Sequence, residues 1–373
     1  MKTYKFKLYQ HKRNKHLHLV INAASRIYNH CIALHKRYYR LFGKNLNVNK
    51  LMKHIAKKRK RKSYWQLVGS QAAQDICQRI DKAYKLFFQN HSKGVRPPNF
   101  RKRIKYKSFT LKQAGYKFLD GNQIKVGKRV YKYFKSREIK GKVKTVTIKR
   151  NSLGEIYLFV VTDYVEKQES AMTGKNAGFD FGLKTFLTCS DNTEIISPLF
   201  LKKSLKQLKL ASRNHSKKKK GSNSREKARK NLVRVHEKVV NRRNDWFWKL
   251  AHELTDKFDY LFFETLNLKG MKRLWGRKVS DLAFGEFLQI LEFVSNKKGK
   301  VVSYISQWYP SSKTCSKCNY VLDELPLDMR YWVCPSCGSK HGRDANASYV
   351  IHKVGASTLR LGDVSQPLVA IPA

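Results

Sequence analysis

Acidic residues are scarce in this chain of 373 residues: 26 Asp and Glu stand against 79 Lys and Arg, a formal net charge of +53. None precedes Asp75, and the first 150 residues hold only Asp75, Asp81, Asp120 and Glu138. A compact chain with that imbalance repels itself unless a polyanion neutralises it. Long apolar runs are also missing. No stretch approaches the ~20 residues that span a bilayer, and the segment Met1 to Tyr9 has no signal-peptide core. The expected location is therefore the cytoplasm, in association with the nucleoid, and no membrane partner is expected. The seven cysteines are an odd count, and four of them fall in two Cys-x-x-Cys pairs. That usage speaks against a disulfide framework and for a reducing compartment and a metal. Cys31, Cys77 and Cys189 lie alone in apolar surroundings and read as small buried hydrophobes.

What is present is enough for a core. Hydrophobic residues make up 41% of the chain, more than a basic arm needs, and the length suits two or three domains. Tyr4, Phe6 and Leu8 alternate with lysines, the period of a half-buried strand. Residues 15–42 turn helical, with Gly43 as the stop, and a second amphipathic helix is expected over Gln71–Phe88. The run Lys57–Lys62 is too dense in charge to pack and reads as solvated chain or an RNA contact. Short alternating segments at Ser108–Lys112, Gln123–Val126, Val143–Lys149 and Ile156–Thr162 suggest a small antiparallel sheet or barrel. Strand 1–9 could pair with it, which would make the helices between them an insertion. Beyond a linker at Glu166–Lys175, the order becomes strand, hairpin, long basic helices, strand, helix, strand, cysteine pairs, helix.

Cys315, Cys318, Cys334 and Cys337 form C-x2-C-x15-C-x2-C, a spacing at which two knuckles supply four thiolates to one tetrahedral ion. A redox dithiol would need only one pair. Four protein ligands leave no open position for water, so this zinc is structural and not the catalytic metal.

Three carboxylates carry the chemistry. Asp180 ends an apolar strand at a glycine-bearing turn, Glu264 ends the apolar strand from Asp259, and Asp344 opens a helix after the second cysteine pair. Each alone has an ordinary reading as a turn aspartate, a solvated edge or a helix-dipole residue. Together, in a chain so short of acids, they suggest a cation site. Two Mg²⁺ ions about 3.5–4 Å apart can neutralise a phosphodiester, activate water and stabilise the leaving oxygen. Basic clusters at 57–62, 101–107, 127–140 and 217–220, interleaved with aromatics as in Lys128–Lys135, suit nucleic-acid backbone and unpaired bases.

Gly178-Phe-Asp180-Phe-Gly182-Leu-Lys184, Phe262-Phe-Glu264 with Leu266 and Met271, Gln307–Cys315 and Arg343-Asp344-Ala-Asn346-Ala resemble the TnpB (OrfB) family over residues 175–350. These are transposon-encoded RNA-guided nucleases related to type V CRISPR effectors. The resemblance implies an α/β multidomain protein. Its RNase H-like RuvC nuclease domain would occupy 175–310 and 342–361, with Asp180, Glu264 and Asp344 as catalytic acids and Mg²⁺ ligands. A zinc ribbon would be inserted at 311–341. An N-terminal wedge-like β-barrel domain would occupy 1–10 and 96–166, with a helical recognition domain at 11–95, and residues 362–373 would be a disordered tail. The implied partners are a guide RNA and double-stranded DNA bearing a short flanking motif; the sequence leaves the oligomeric state open. Two departures stand out. Thr265 follows Glu264 where the family often has Asp, and the chain has His341-Gly342-Arg343-Asp344 where the family often has His-Asp-Arg-Asp. A nuclease-inactive, RNA-guided DNA-binding repressor is the alternative reading.

Overall fold

The computed structural model describes residues 1–165, 170–326 and 328–359. The tail expected at 362–373 lies outside them. The chain divides into two compact units, Met1–Glu166 and Lys167–Ala373.

In the first unit, strand β1 (Lys2–Lys7) is followed by helices α1 (Asn14–Phe42), α2 (Val48–Arg61), α3 (Ser63–Gln66) and α4 (Ser70–Asn90). Strands β2 (Ser108–Leu111), β3 (Tyr116–Leu119), β4 (Gln123–Val126), β5 (Arg129–Lys132), β6 (Val143–Arg150) and β7 (Ile156–Thr162) complete it. One antiparallel sheet runs β1-β7-β6-β2, another β3-β4-β5. The backbone bridge between Leu8 and Tyr133 joins them. Tyr4, Phe6 and Leu8 face the core while the lysines between them do not, as alternation requires. Leu17, Ile21, Ala24, Ile27 and Cys31 form the buried face of α1. Gly43 ends it at φ 62°, its N–H bonded to Tyr39 O.

The basic run at 57–62 corrects the sequence reading. Lys57–Arg61 are the last turns of α2, not unstructured chain. Leu51 and Ile55 sit four residues apart and bury the helix, and Asn47 caps its start by accepting from Asn49 N. Cations at the C-terminal end meet the favourable pole of the helix dipole.

The second unit contains β8 (Asn176–Asp180), β9 (Leu187–Cys189), β10 (Glu194–Ile195), α5 (Phe200–Ser216) and α6 (Asn223–Lys257). Then follow β11 (Tyr260–Glu264), α7 (Leu268–Leu282), α8 (Phe284–Lys298), β12 (Val301–Ile305), β13 (Tyr331–Val333), β14 (Lys340–Gly342) and α9 (Arg343–Thr358). Its sheet runs β10-β9-β8-β11-β12, with β8 to β10 antiparallel and β8, β11 and β12 parallel. The helix expected between β11 and β12 is two helices, parted at Ala283 in the left-handed region (φ 47°).

The parallel strands are buried on both faces. Phe179, Leu261 and Phe263 pack with Phe247, Leu250 and Leu254 of α6 and Phe287 and Leu291 of α8. Phe262 and Ile305 turn the other way, against Ile351 and Ala356 of α9. Two glycines let α9 approach. A Cβ on Gly178 would lie 2.3 Å from Ser348 O and 2.4 Å from His352 N, and one on Gly355 would lie 2.2 Å from the Phe262 ring. At the far end of the strands, Lys300 and Asp259 form an ion pair at 2.5 Å, both side chains essentially inaccessible. Asp259 also accepts from Thr173 N and Gly174 N, and Lys300 donates to Ala171 O. This network aligns the segment before β8 with the starts of β11 and β12.

Candidate metal and carboxylate site

The parallel register brings the first two acids together. Phe179 pairs with Phe263, so Asp180 and Glu264 are the next residues on neighbouring strands. Side chains alternate faces. With Phe179 and Phe263 turned toward α6 and α8, the two carboxylates turn toward α9, whose first turn carries Asp344. The charges of Asp344 and Glu264 both act on Asp180. Asp180 is pushed up to about 7 by burial first, then by the charges of Asp344 and Glu264. Arg343 and the Phe181 N–H pull partly the other way. Burial also raises Glu264, against a hydrogen bond from Ser311 Oγ to Glu264 Oε2 at 3.3 Å. Asp344 receives Arg330, whose Nη1 lies 3.3 Å from both carboxylate oxygens. The thiolate cluster is the one group of three or more candidate ligands, among the described residues, whose donor atoms all lie within 4.8 Å.

That cluster is Cys315, Cys318, Cys334 and Cys337. Cys315 and Cys337 sulfurs are 3.7 Å apart, and those of Cys318 and Cys334 3.5 Å. Four thiolates bound tetrahedrally at ~2.3 Å stand about 3.8 Å apart, so the donor set fits a zinc ion. His341 Nε2 lies 3.0 Å from Cys315 Sγ and 2.8 Å from Ser339 Oγ, its ring against Trp332. The second knuckle lies between β13 and β14, which pair Trp332 with His341 and Tyr331 with Gly342. β14 then runs directly into α9, so the ribbon delivers Asp344.

Three contributors carry no sequence signal of their own: Ser311 and Asn346, which lie inside longer motifs, and Arg330, which lies in none. Ser311 and Arg330 touch two of the three acids. Asn346 ties α9 to the first knuckle, donating to Thr314 O at 2.7 Å and accepting from Ser316 N at 2.9 Å. Both departures from the family pattern have a structural setting. Thr265 donates from N and Oγ1 to Ile305 O at 3.2 and 2.8 Å, closing the end of β12. Gly342 has φ −79° and room for a side chain, the nearest atom to an added Cβ being 3.6 Å away on Tyr331.

Among the described residues no helix is long and apolar enough to cross a membrane. Residues 159–274 match the OrfB family of IS605-type elements, described as a probable transposase, and residues 284–351 match the Cas12f1-like TNB domain. A Streptomyces pristinaespiralis protein named "Putative RNA-guided DNA endonuclease" is 32% identical over 225 residues, covering 60% of this chain and 56% of that one. A TnpB-like protein of Acanthamoeba polyphaga mimivirus is 32% identical over 228 residues, covering 57% and 43%. The chain thus spans about half the length of these curated relatives. In fold it is similar to Cas12f1 in its complex with sgRNA and target DNA: TM-score 0.60, 15% identity, covering 92% of this chain and 83% of that one. Motif order, both matched regions and the curated relatives support the same family for residues 159–351: TnpB (OrfB).

Proposed function

We propose that the chain is an RNA-guided DNA endonuclease that hydrolyses phosphodiesters at a single RuvC-type site formed by Asp180, Glu264 and Asp344. The observation that carries this reading is the convergence of three acids on one end of the sheet, with Asp180 driven to about 7, in a chain of net charge +53. The strand order, an antiparallel β8–β10 meander continued by parallel β11 and β12, supports the reading of an RNase H-like domain. Relatives named as RNA-guided DNA endonucleases, and a fold neighbour solved with sgRNA and target DNA, support the same class.

The three carboxylates would hold Mg²⁺, and the fit rests on their mutual repulsion, which a divalent cation relieves. Bound there, a pair of such ions supplies charge neutralisation at phosphorus, water activation and leaving-group stabilisation. The protein's own part is positional. Ser311 orients Glu264, the glycine-packed α9 fixes Asp344 against β8, and Arg330 and Arg343 contribute positive charge where a phosphate would dock. Cys315, Cys318, Cys334 and Cys337 would hold a structural zinc in the ribbon at 311–341. Residues 175–310 and 342–361 serve as the nuclease domain, 1–10 and 96–166 as the wedge, and 11–95 as the recognition region. The basic first unit grips guide RNA and the DNA beside a flanking motif, while base pairing reads the target. Such work belongs at the nucleoid.

The test is to load the protein with the RNA that co-purifies with it and supply Mg²⁺. The complex is offered plasmids carrying the matching target beside randomised flanks. Flank-selective cutting that Asp180→Ala abolishes supports the reading. Selective binding without cutting by the parent chain would instead make it a repressor, a role the three intact acids disfavour.

A further inference from the structure

Beside the carboxylates stand two aromatic side chains that the fold does not use. Trp308 is 84% exposed and Tyr331 81%, and among the described residues no other aromatic exceeds 60%. Each is held next to an acid by a defined backbone. Ile305 pairs in register with Glu264, and Ser311 Oγ returns to the same carboxylate at 3.3 Å. The intervening turn therefore begins and ends at Glu264, with Trp308 at its middle. That turn is ordered: Trp308 N donates to Ser306 Oγ, Tyr309 N to Ser306 O, and Ser311 N to Tyr309 O. Tyr309 points inward, packed with Ile305 and Ile351, which leaves Trp308 outward.

Tyr331 has the matching position at Asp344. It follows Arg330, whose guanidinium reaches Asp344, and it pairs across the ribbon hairpin with Gly342. Glycine gives the ring no cross-strand partner, so it stays bare opposite Gly342, the residue two before the acid.

We propose that Trp308 and Tyr331 are base-stacking platforms on the Glu264 and Asp344 sides of the site, and that they take unpaired nucleobases of a single strand threaded past the carboxylates. The occupant follows from chemistry. A ring beside an acid cluster in a protein of +53 meets nucleic acid before any other aromatic or apolar partner. Every base has a face to stack, whereas a paired base in a duplex offers none at its flanks. The two rings would hold the strand by its bases while its phosphate passes between them. This refines the nuclease reading and rests on it for the identity of the strand, yet it is read by binding and not by cutting.

The experiment uses full-length Asp180→Ala protein without added divalent cation. Intrinsic fluorescence of this protein minus that of the same protein with Trp308→Phe isolates one of the six tryptophans. Titrants are oligothymidylate, oligouridylate and an equally long abasic deoxyribose-phosphate strand. Base-bearing strands should quench the Trp308 signal and the abasic strand should not. Trp308→Ala and Tyr331→Ala should each weaken oligothymidylate binding about ten-fold or more relative to the parent. Binding of the abasic strand should stay unchanged, and Trp308→Phe should recover most of the loss. Tighter binding of deoxy- or ribo-strand identifies which nucleic acid is held. A Trp308 signal unmoved by bases, or variants that lose equally on the abasic strand, would overturn the proposal. Because no step requires catalysis, guided cutting that survives Asp180→Ala would sink the nuclease reading without touching this result.

Discussion

Asn346 grips the peptide groups on both sides of Cys315: its Nδ2 donates to Thr314 O at 2.7 Å and its Oδ1 accepts from Ser316 N at 2.9 Å. Asn346 sits two residues beyond Asp344 on the same helix and is 2% exposed. Lys353, further along α9, also donates to Ser316 O. A candidate thiolate ligand and a carboxylate are thus fixed to one rigid element, and an ion bound by the first would bear on the placement of the second.

Asn346→Ala should therefore weaken zinc binding by about 10–100-fold, the usual cost of losing a partner that orients a ligand. Competition with a colorimetric chelator measures it. An unchanged zinc affinity would show that the clamp acts on α9 alone.

Asp180 gives the metal-free protein a stability that depends on pH in an unusual direction. Its folded carboxyl titrates near 7, well above the range of the unfolded chain. Between about pH 4 and pH 7 the folded state holds a proton that the unfolded state has shed, so stability falls as pH rises. The loss from this group is at most about 4 kcal/mol. Asp180→Asn should remove that slope in urea unfolding without added divalent cation, stabilising the protein most near pH 8, less near pH 5, and little once the pH falls to about 4. Added Mg²⁺ should flatten the wild-type slope as well.

The buried Asp259 has the opposite sign. Burial raises its carboxyl, but Lys300 and the Thr173 and Gly174 N–H groups outweigh it and hold the pKa low. Its stabilisation is present above about pH 4 and is lost as pH falls below the folded value. Lys300→Met strands that charge and should cost about 3–5 kcal/mol near neutral pH, read by urea unfolding.

Two glycines should respond differently. Gly178→Ala drives a methyl into backbone atoms of α9, which cannot swing aside. A loss of about 3 kcal/mol or more is expected, with guided cutting reduced as Asp344 moves. Gly342→Asp meets only an ordinary contact with the Tyr331 ring at the N-cap of α9, which has no side-chain cap, and should gain a few tenths of a kcal/mol. A thermal-unfolding comparison decides both.

Much of the sheet and the acids was legible in the sequence because both follow local rules. Alternation marks β1 and β7, and an apolar run ending in a carboxylate marks β8 and β11. The cysteine spacing announces its knuckles. What escaped was governed by distance. The α2 helix hid behind its own charge, since Leu51 and Ile55 are too few to set a period. Strands β3 and β5 are only four residues each. Ser311, Arg330 and Asn346 act on partners 47, 14 and 30–32 residues away, and no periodicity reports such pairings. The same holds for Lys300 and Asp259, which look like ordinary surface charges until the strands align them.

The ribbon has almost no interior of its own: Cys315, Leu325, Trp332 and Cys334, with Leu322 against them. Two of its metal-binding sulfurs, those of Cys318 and Cys337, belong to exposed residues. A thiol oxidised there can no longer serve as a thiolate ligand, and no packed core remains to keep the hairpin in shape. Because that hairpin hands the chain directly to Asp344, peroxide reaching those two sulfurs would displace a carboxylate it never touches.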